Sequence, residues 1–86
     1  MNKEKMKQLK HDASHIKPII NIGKKGIDEA VLGELKKQIK ARHLVKVKVL
    51  KSASYEEGIE AIAQKLSEST NSTLVDVRGG TVVLYR

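Results

Sequence analysis

The sequence predicts a single α/β domain over residues 1–86, in the order α-β-α-β-α-β-β, with helices packed on a four-stranded mixed sheet. Three observations predict it. Apolar residues recur at three- and four-residue steps in three segments, the pattern of amphipathic helices. Alternating or β-branched runs fall between those segments, the pattern of strands. Two glycines separate the last two such runs and mark a hairpin, because positive φ costs glycine nothing. Strands separated by helices imply right-handed parallel crossovers, and the closing hairpin adds an antiparallel edge. At 86 residues the chain has the length of one small domain.

The elements follow in order. Met6, Leu9, Ala13 and Ile16 form the stripe of a first helix, with Lys3, Lys5, Lys7 and Lys10 off it. Pro18 ends that helix, since the residue before a proline is pushed out of the α region. Pro18-Ile19-Ile20-Asn21-Ile22 is a short strand, broken by Gly23-Lys24-Lys25-Gly26. A second helix carries Ile27, Val31, Leu35 and Ile39 one turn apart, with Asp28 and Glu29 in its first turn. From Leu44 to Lys51 the pattern alternates, with Val45, Val47 and Val49 on one face and Lys46 and Lys48 on the other. Ser54-Tyr55-Glu56-Glu57 fits a capping box that opens a third helix, whose stripe is Ile59, Ile62, Ala63 and Leu66. The polar run from Ser67 to Ser72 reads as a loop. Thr73 to Arg78 and Thr81 to Arg86 read as the hairpin strands, joined by Gly79-Gly80.

Composition narrows the chemistry. The absence of Cys excludes disulfide scaffolds, Cys-based zinc sites, iron–sulfur clusters and thiol catalysis. No apolar run approaches the roughly 18 residues of a membrane span. The first ten residues are charged throughout and unlike a signal peptide, so the expected compartment is the cytoplasm. The formal net charge is +7, and it is unevenly spread. Residues 1–51 hold 14 basic and five acidic residues, net +9; residues 52–86 hold three basic and five acidic, net −2. A basic half joined to a weakly acidic half suggests an oriented contact with a polyanion. A lysine-rich surface tuned for solubility is the plainer alternative.

Nothing in the sequence supports catalysis or a cofactor. No serine sits in a nucleophile elbow, and no carboxylate pair stands out. Gly23-Lys24-Lys25-Gly26 lacks the spacing of a Walker loop. His11 and His15 share a helix face without a third metal ligand, and read as polar residues near a helix C-terminus. The glycine-bounded turn is the sharpest feature. It lies between an apolar strand and a helix whose first N–H groups are free to meet an anion, and two lysines stand at its tip. Such a turn can clamp a phosphodiester backbone without reading bases, or it can be an ordinary strand-to-helix connection. Lys36, Lys37 and Lys40 extend a basic track along the second helix. Lys17 adds local charge, and Lys46 and Lys48 lie on the non-core side of their strand. With only two tyrosines as aromatics, a base-stacking platform is missing, so binding would rest on charge and shape. RNA is favoured over DNA, because the second helix offers few base-reading side chains.

The ordered motifs resemble the CRM-domain family in its single-domain, YhbY-like prokaryotic form. The stretches that carry the resemblance are Ile16-Lys17-Pro18-Ile19-Ile20, Ile22-Gly23-Lys24-Lys25-Gly26-Ile27, Leu44-Val45-Lys46-Val47-Lys48 and Gly80-Thr81-Val82-Val83-Leu84-Tyr85-Arg86. Family members often carry Ala-His before the Lys-Pro stretch and His-Glu before the lysine-rich strand. Here these are Ala13-Ser14-His15 and Arg42-His43. The resemblance implies a fold similar to the C-terminal domain of translation initiation factor three. It also implies RNA binding linked to the precursor of the large ribosomal subunit. The family's binding residues fall on Gly23, Lys24, Lys25 and Gly26. The expectation is a monomeric, non-catalytic RNA-binding protein without cofactor or metal, contacting RNA through Gly23–Gly26 with Lys17, Lys36, Lys37, Lys40, Lys46 and Lys48. Two other readings compete. One is a protein-docking module using Glu56, Glu57 and Glu60; the other is a general nucleic-acid-binding basic protein.

Overall fold

The computed structural model describes residues 2–54 and 58–86. Helix α1 spans Lys3–Ala13. Asn2 caps it, its side-chain oxygen accepting the Lys5 N–H at 2.7 Å, and Ser14 closes it. Strand β1 covers only Ile20–Ile22. It is shorter than predicted because Pro18 has no N–H for the ladder; the chain enters pairing through the Ile19 N–H, which donates to Lys46 O at 3.0 Å. Helix α2 is Glu29–Arg42. Asp28 stands outside the helix in an extended conformation and caps it, accepting the Val31 N–H at 2.8 Å.

Strand β2, Leu44–Val49, follows α2 directly through His43. His43 has φ 69°, and its N–H donates to Ile39 O at 2.7 Å. Its ψ of −51° places it outside the left-handed helical region that Asn71 occupies. A one-turn helix α3, Lys51–Ser54, precedes α4, Ile59–Thr70. The predicted third helix thus starts five residues late. Gly58, at φ 80°, sits at the α4 N-cap in a conformation no helix contains. The Ser54-to-Glu57 capping box falls partly outside the described residues. Of the polar run from Ser67 to Ser72, the first four residues continue α4 and only Asn71 and Ser72 connect it to β3. Thr70 Oγ1 donates to Leu66 O, and the Ser72 N–H donates to Ser67 O around Asn71 in the left-handed conformation. This Schellman-type end satisfies the buried Ser67 and Thr70 internally.

Strands β3, Thr73–Arg78, and β4, Thr81–Tyr85, form the predicted hairpin. The sheet order is β1-β2-β4-β3, with β1 and β2 parallel and the other neighbours antiparallel. The hairpin therefore contributes β4 to the sheet interior and leaves β3 at the edge. The reason is burial on both sides of β4, where Val82, Val83 and Leu84 are all buried.

Helices α2 and α4 cover one face of the sheet. There Ile22, Leu35, Ile39, Val45, Val47, Val49, Ile62, Leu66, Val82 and Leu84 form the main core. Helix α1 covers part of the other face, packing Leu9 and Ala13 on Val75 and Val83, with Met6, Leu44 and Tyr85 around them. The domain is three-layered, but the α1 layer is incomplete.

Candidate nucleic-acid interface

The β1–α2 connection is a β-turn, closed by the Gly26 N–H donating to Gly23 O at 2.8 Å. That bond leaves the N–H groups of Lys24 and Lys25 outside it. Gly26 has φ 71° and needs glycine. Gly23 does not: an added Cβ would meet only Leu50 Cδ1, at an ordinary 3.6 Å. Lys24 and Lys25 are exposed, and neither forms an ion pair with a described residue. The turn is open, and its charges are free.

One expected feature is corrected. The sequence suggests free N–H groups at the start of α2 as part of an anion site, with Asp28 inside the first turn. The Asp28 carboxylate is itself the cap and already occupies that position. A phosphate at this end of the molecule would meet the turn and its lysines, not the axis of α2.

The ten predicted contact residues do not form one patch. Gly23, Lys24, Lys25 and Gly26 lie at the end of the sheet where β1 and β2 finish. The Gly79-Gly80 hairpin is at the same end, held to β2 by the Val49 N–H donating to Gly80 O at 2.6 Å. Lys17 lies at the opposite end, lining a cavity of about 510 Å³ with Asp12, Pro18, Ile19, Arg42 and Leu44. Lys36, Lys37 and Lys40 are exposed on α2, the helix packed on the valine face of the sheet. Lys46 and Lys48 alternate with those valines and occupy the opposite face, beside α1.

That second face also holds residues missed from the sequence. Lys10, Ser14, Asp76, Arg78 and Thr81 line one cleft with the predicted Lys46, between α1 and the sheet, over Ala13 and Val83. Arg78 escapes simple alternation because a bulge between Leu74 and Asp76 resets the parity of β3. Leu74 packs in the main core, while Val75 joins the α1 cluster. Tyr85, one of the two aromatics, is beneath α1 with Lys5 Nζ 5.2 Å from its ring centroid, so it is no stacking platform. His11 and His15 stack edge-to-face at 5.0 Å. Among the described residues, no three His, Cys, Asp or Glu side chains gather as metal ligands. Of the acidic face considered for protein docking, Glu56 and Glu57 lie outside the described residues and Glu60 is exposed on α4.

The architecture defines a class: a small basic α/β domain with a glycine-bounded lysine turn between its first strand and the helix behind it. The chain belongs to the CRS1/YhbY (CRM) domain family, whose match covers residues 1–86. It is 40% identical over 83 residues to "Probable RNA-binding protein MJ0652" of Methanocaldococcus jannaschii, covering 95% of this chain and 61% of that protein. It is 35% identical over 78 residues to "Probable RNA-binding protein YqeI" of Bacillus subtilis, covering 91% of this chain and 79% of that protein. The solution structure of SAV1595 from Staphylococcus aureus superposes with a TM-score of 0.84 at 34% identity, over all of this chain and 88% of that one. The three-layer α/β fold is thus the fold of a solved relative.

Proposed function

We propose that this chain is a non-catalytic RNA-binding protein that grips sugar-phosphate backbone with the Gly23–Gly26 turn. The observation that carries this reading is the turn itself, with two exposed lysines and two N–H groups outside its closing bond. The names of the relatives support RNA as the polyanion. The sequence resemblance to single-domain prokaryotic members supports ribosomal RNA, or a precursor of the large subunit, as the RNA bound. We extend the proposal to a monomer acting in the cytoplasm. Lys46 and Lys48 on the sheet face, and Lys36, Lys37 and Lys40 on α2, are the two basic surfaces that a strand leaving the turn can meet.

The test is a binding titration against structured RNA at several salt concentrations. If about four phosphates are engaged, log affinity falls against log salt with a slope near −3. Lys24→Ala with Lys25→Ala weakens binding about tenfold and leaves the melting temperature unchanged. A flat salt response, or an unaltered affinity in that double variant, would move the site elsewhere.

A further inference from the structure

The sheet register aligns four polar side chains in one row across all four strands. Asn21 of β1 is opposite Lys48 of β2, Lys48 is opposite Thr81 of β4, and Thr81 is opposite Arg78 of β3. At about 4.8 Å per strand the row spans some 14 Å. The next row runs from Lys46 through Val83 to Asp76, and Lys10 reaches the same cleft from α1. Helix α1 covers only the far end of this face, over Leu44, Val75, Val83 and Tyr85. Asn21, Lys48 and Arg78 are exposed. Leu50, two residues past Lys48 and 38% exposed, is the exposed large apolar side chain at this end of the sheet, beside Gly23.

Among the described residues, Lys10, Lys46, Lys48 and Arg78 thus share one open surface with a single carboxylate, Asp76. Cations gathered on one sheet face raise its positive potential, which a bound polyanion would neutralise. The row is also continuous with the turn. Asn21 is two residues before Gly23, Arg78 directly precedes the Gly79-Gly80 turn, and the Leu50 N–H ties the end of β2 to Ile22 O at 2.8 Å.

We infer that the open sheet face is a second RNA contact surface. The backbone leaves the Gly23–Gly26 turn across Lys48, Thr81 and Arg78 toward the α1 cleft, not along α2. The contact is with phosphates, from Lys48, Arg78, Lys46 and Lys10. Thr81 and Asn21 supply neutral hydrogen bonds. This inference rests on the reading of the turn as the anchor.

The experiment measures anisotropy of one fluorescein-labelled RNA stem-loop with five paired variants across a salt series. K48A/R78A is expected to bind about tenfold more weakly, with a salt slope shallower by about 2. K48Q/R78Q keeps longer side chains on the strands and is expected to lose as much. The charge-matched K3A/K7A, on the exposed outer part of α1, is expected to lose less than about threefold. Unchanged affinity in K48A/R78A while K24A/K25A weakens would overturn the sheet-face contact and leave the turn standing. A larger loss in K36A/K40A than in K48A/R78A would overturn it in favour of α2. Unchanged affinity in both K24A/K25A and K48A/R78A would overturn the turn as well.

Discussion

Gly26 and Gly23 bound the same turn, yet they differ in what they tolerate. Gly26 sits at φ 71°, where an L side chain is strained, whereas Gly23 has space for a methyl group. Gly26→Ala is expected to destabilise the domain by about 1–2 kcal/mol, and Gly23→Ala to change it by less than about 0.5 kcal/mol, as read by urea unfolding. Equal effects would mean the turn is not held as described. The lysines between them were legible from sequence, because charge and exposure need only the residue type and a break in the apolar pattern. Arg78 was not legible, because the β3 bulge that sets its face leaves no mark in the alternation of Thr73 to Arg78. Likewise, the sequence shows Asp28 near a helix start but not whether it lies inside the helix or caps it.

At the scale of elements, α2 links stability to the proposed contact through that cap. Asp28→Ala removes the acceptor of the Val31 N–H and is expected to cost about 1 kcal/mol in unfolding. Asp28→Asn keeps a good cap and removes a negative charge two residues from the turn. It is expected to hold stability within about 0.5 kcal/mol and to tighten RNA binding about two- to threefold. Weaker binding by the Asn variant would place the RNA away from this end of α2. The helices and strands with a buried stripe were found because core packing obliges apolar residues to recur at 3.6 or 2 residues. What failed were ends and positions. The start of α4 is set by Gly58, and the end of α4 by hydrogen bonds among Ser67, Thr70 and Ser72 that a polar run does not reveal. The interior place of β4 was readable in principle, since Val82-Val83-Leu84 lacks the alternation of a half-exposed strand.

For the whole molecule, the fold separates stability from recognition. The main core lies between the sheet and α2 with α4, and the open half of the opposite face carries charge. Leu84→Ala, in the interior strand β4 and fully buried, is expected to cost about 2–5 kcal/mol. That is a large share of the stability of a domain this small, and thermal melting would show it. Substitutions at Lys24, Lys25, Lys48 or Arg78 should leave the melt in place. The overall charge of +7 suggested a polyanion partner from composition alone, but only the topology shows that the lysines are divided between two faces and two ends of the sheet. Backbone amide shifts of the ¹⁵N-labelled protein, followed while a structured RNA is added, test the location of the grip most directly. The account predicts the largest changes at Lys24, Lys25 and Gly26, spreading to Lys48, Arg78 and Thr81. Changes confined to the outer faces of α2 and α4, with the Gly23–Gly26 amides unmoved, would contradict it.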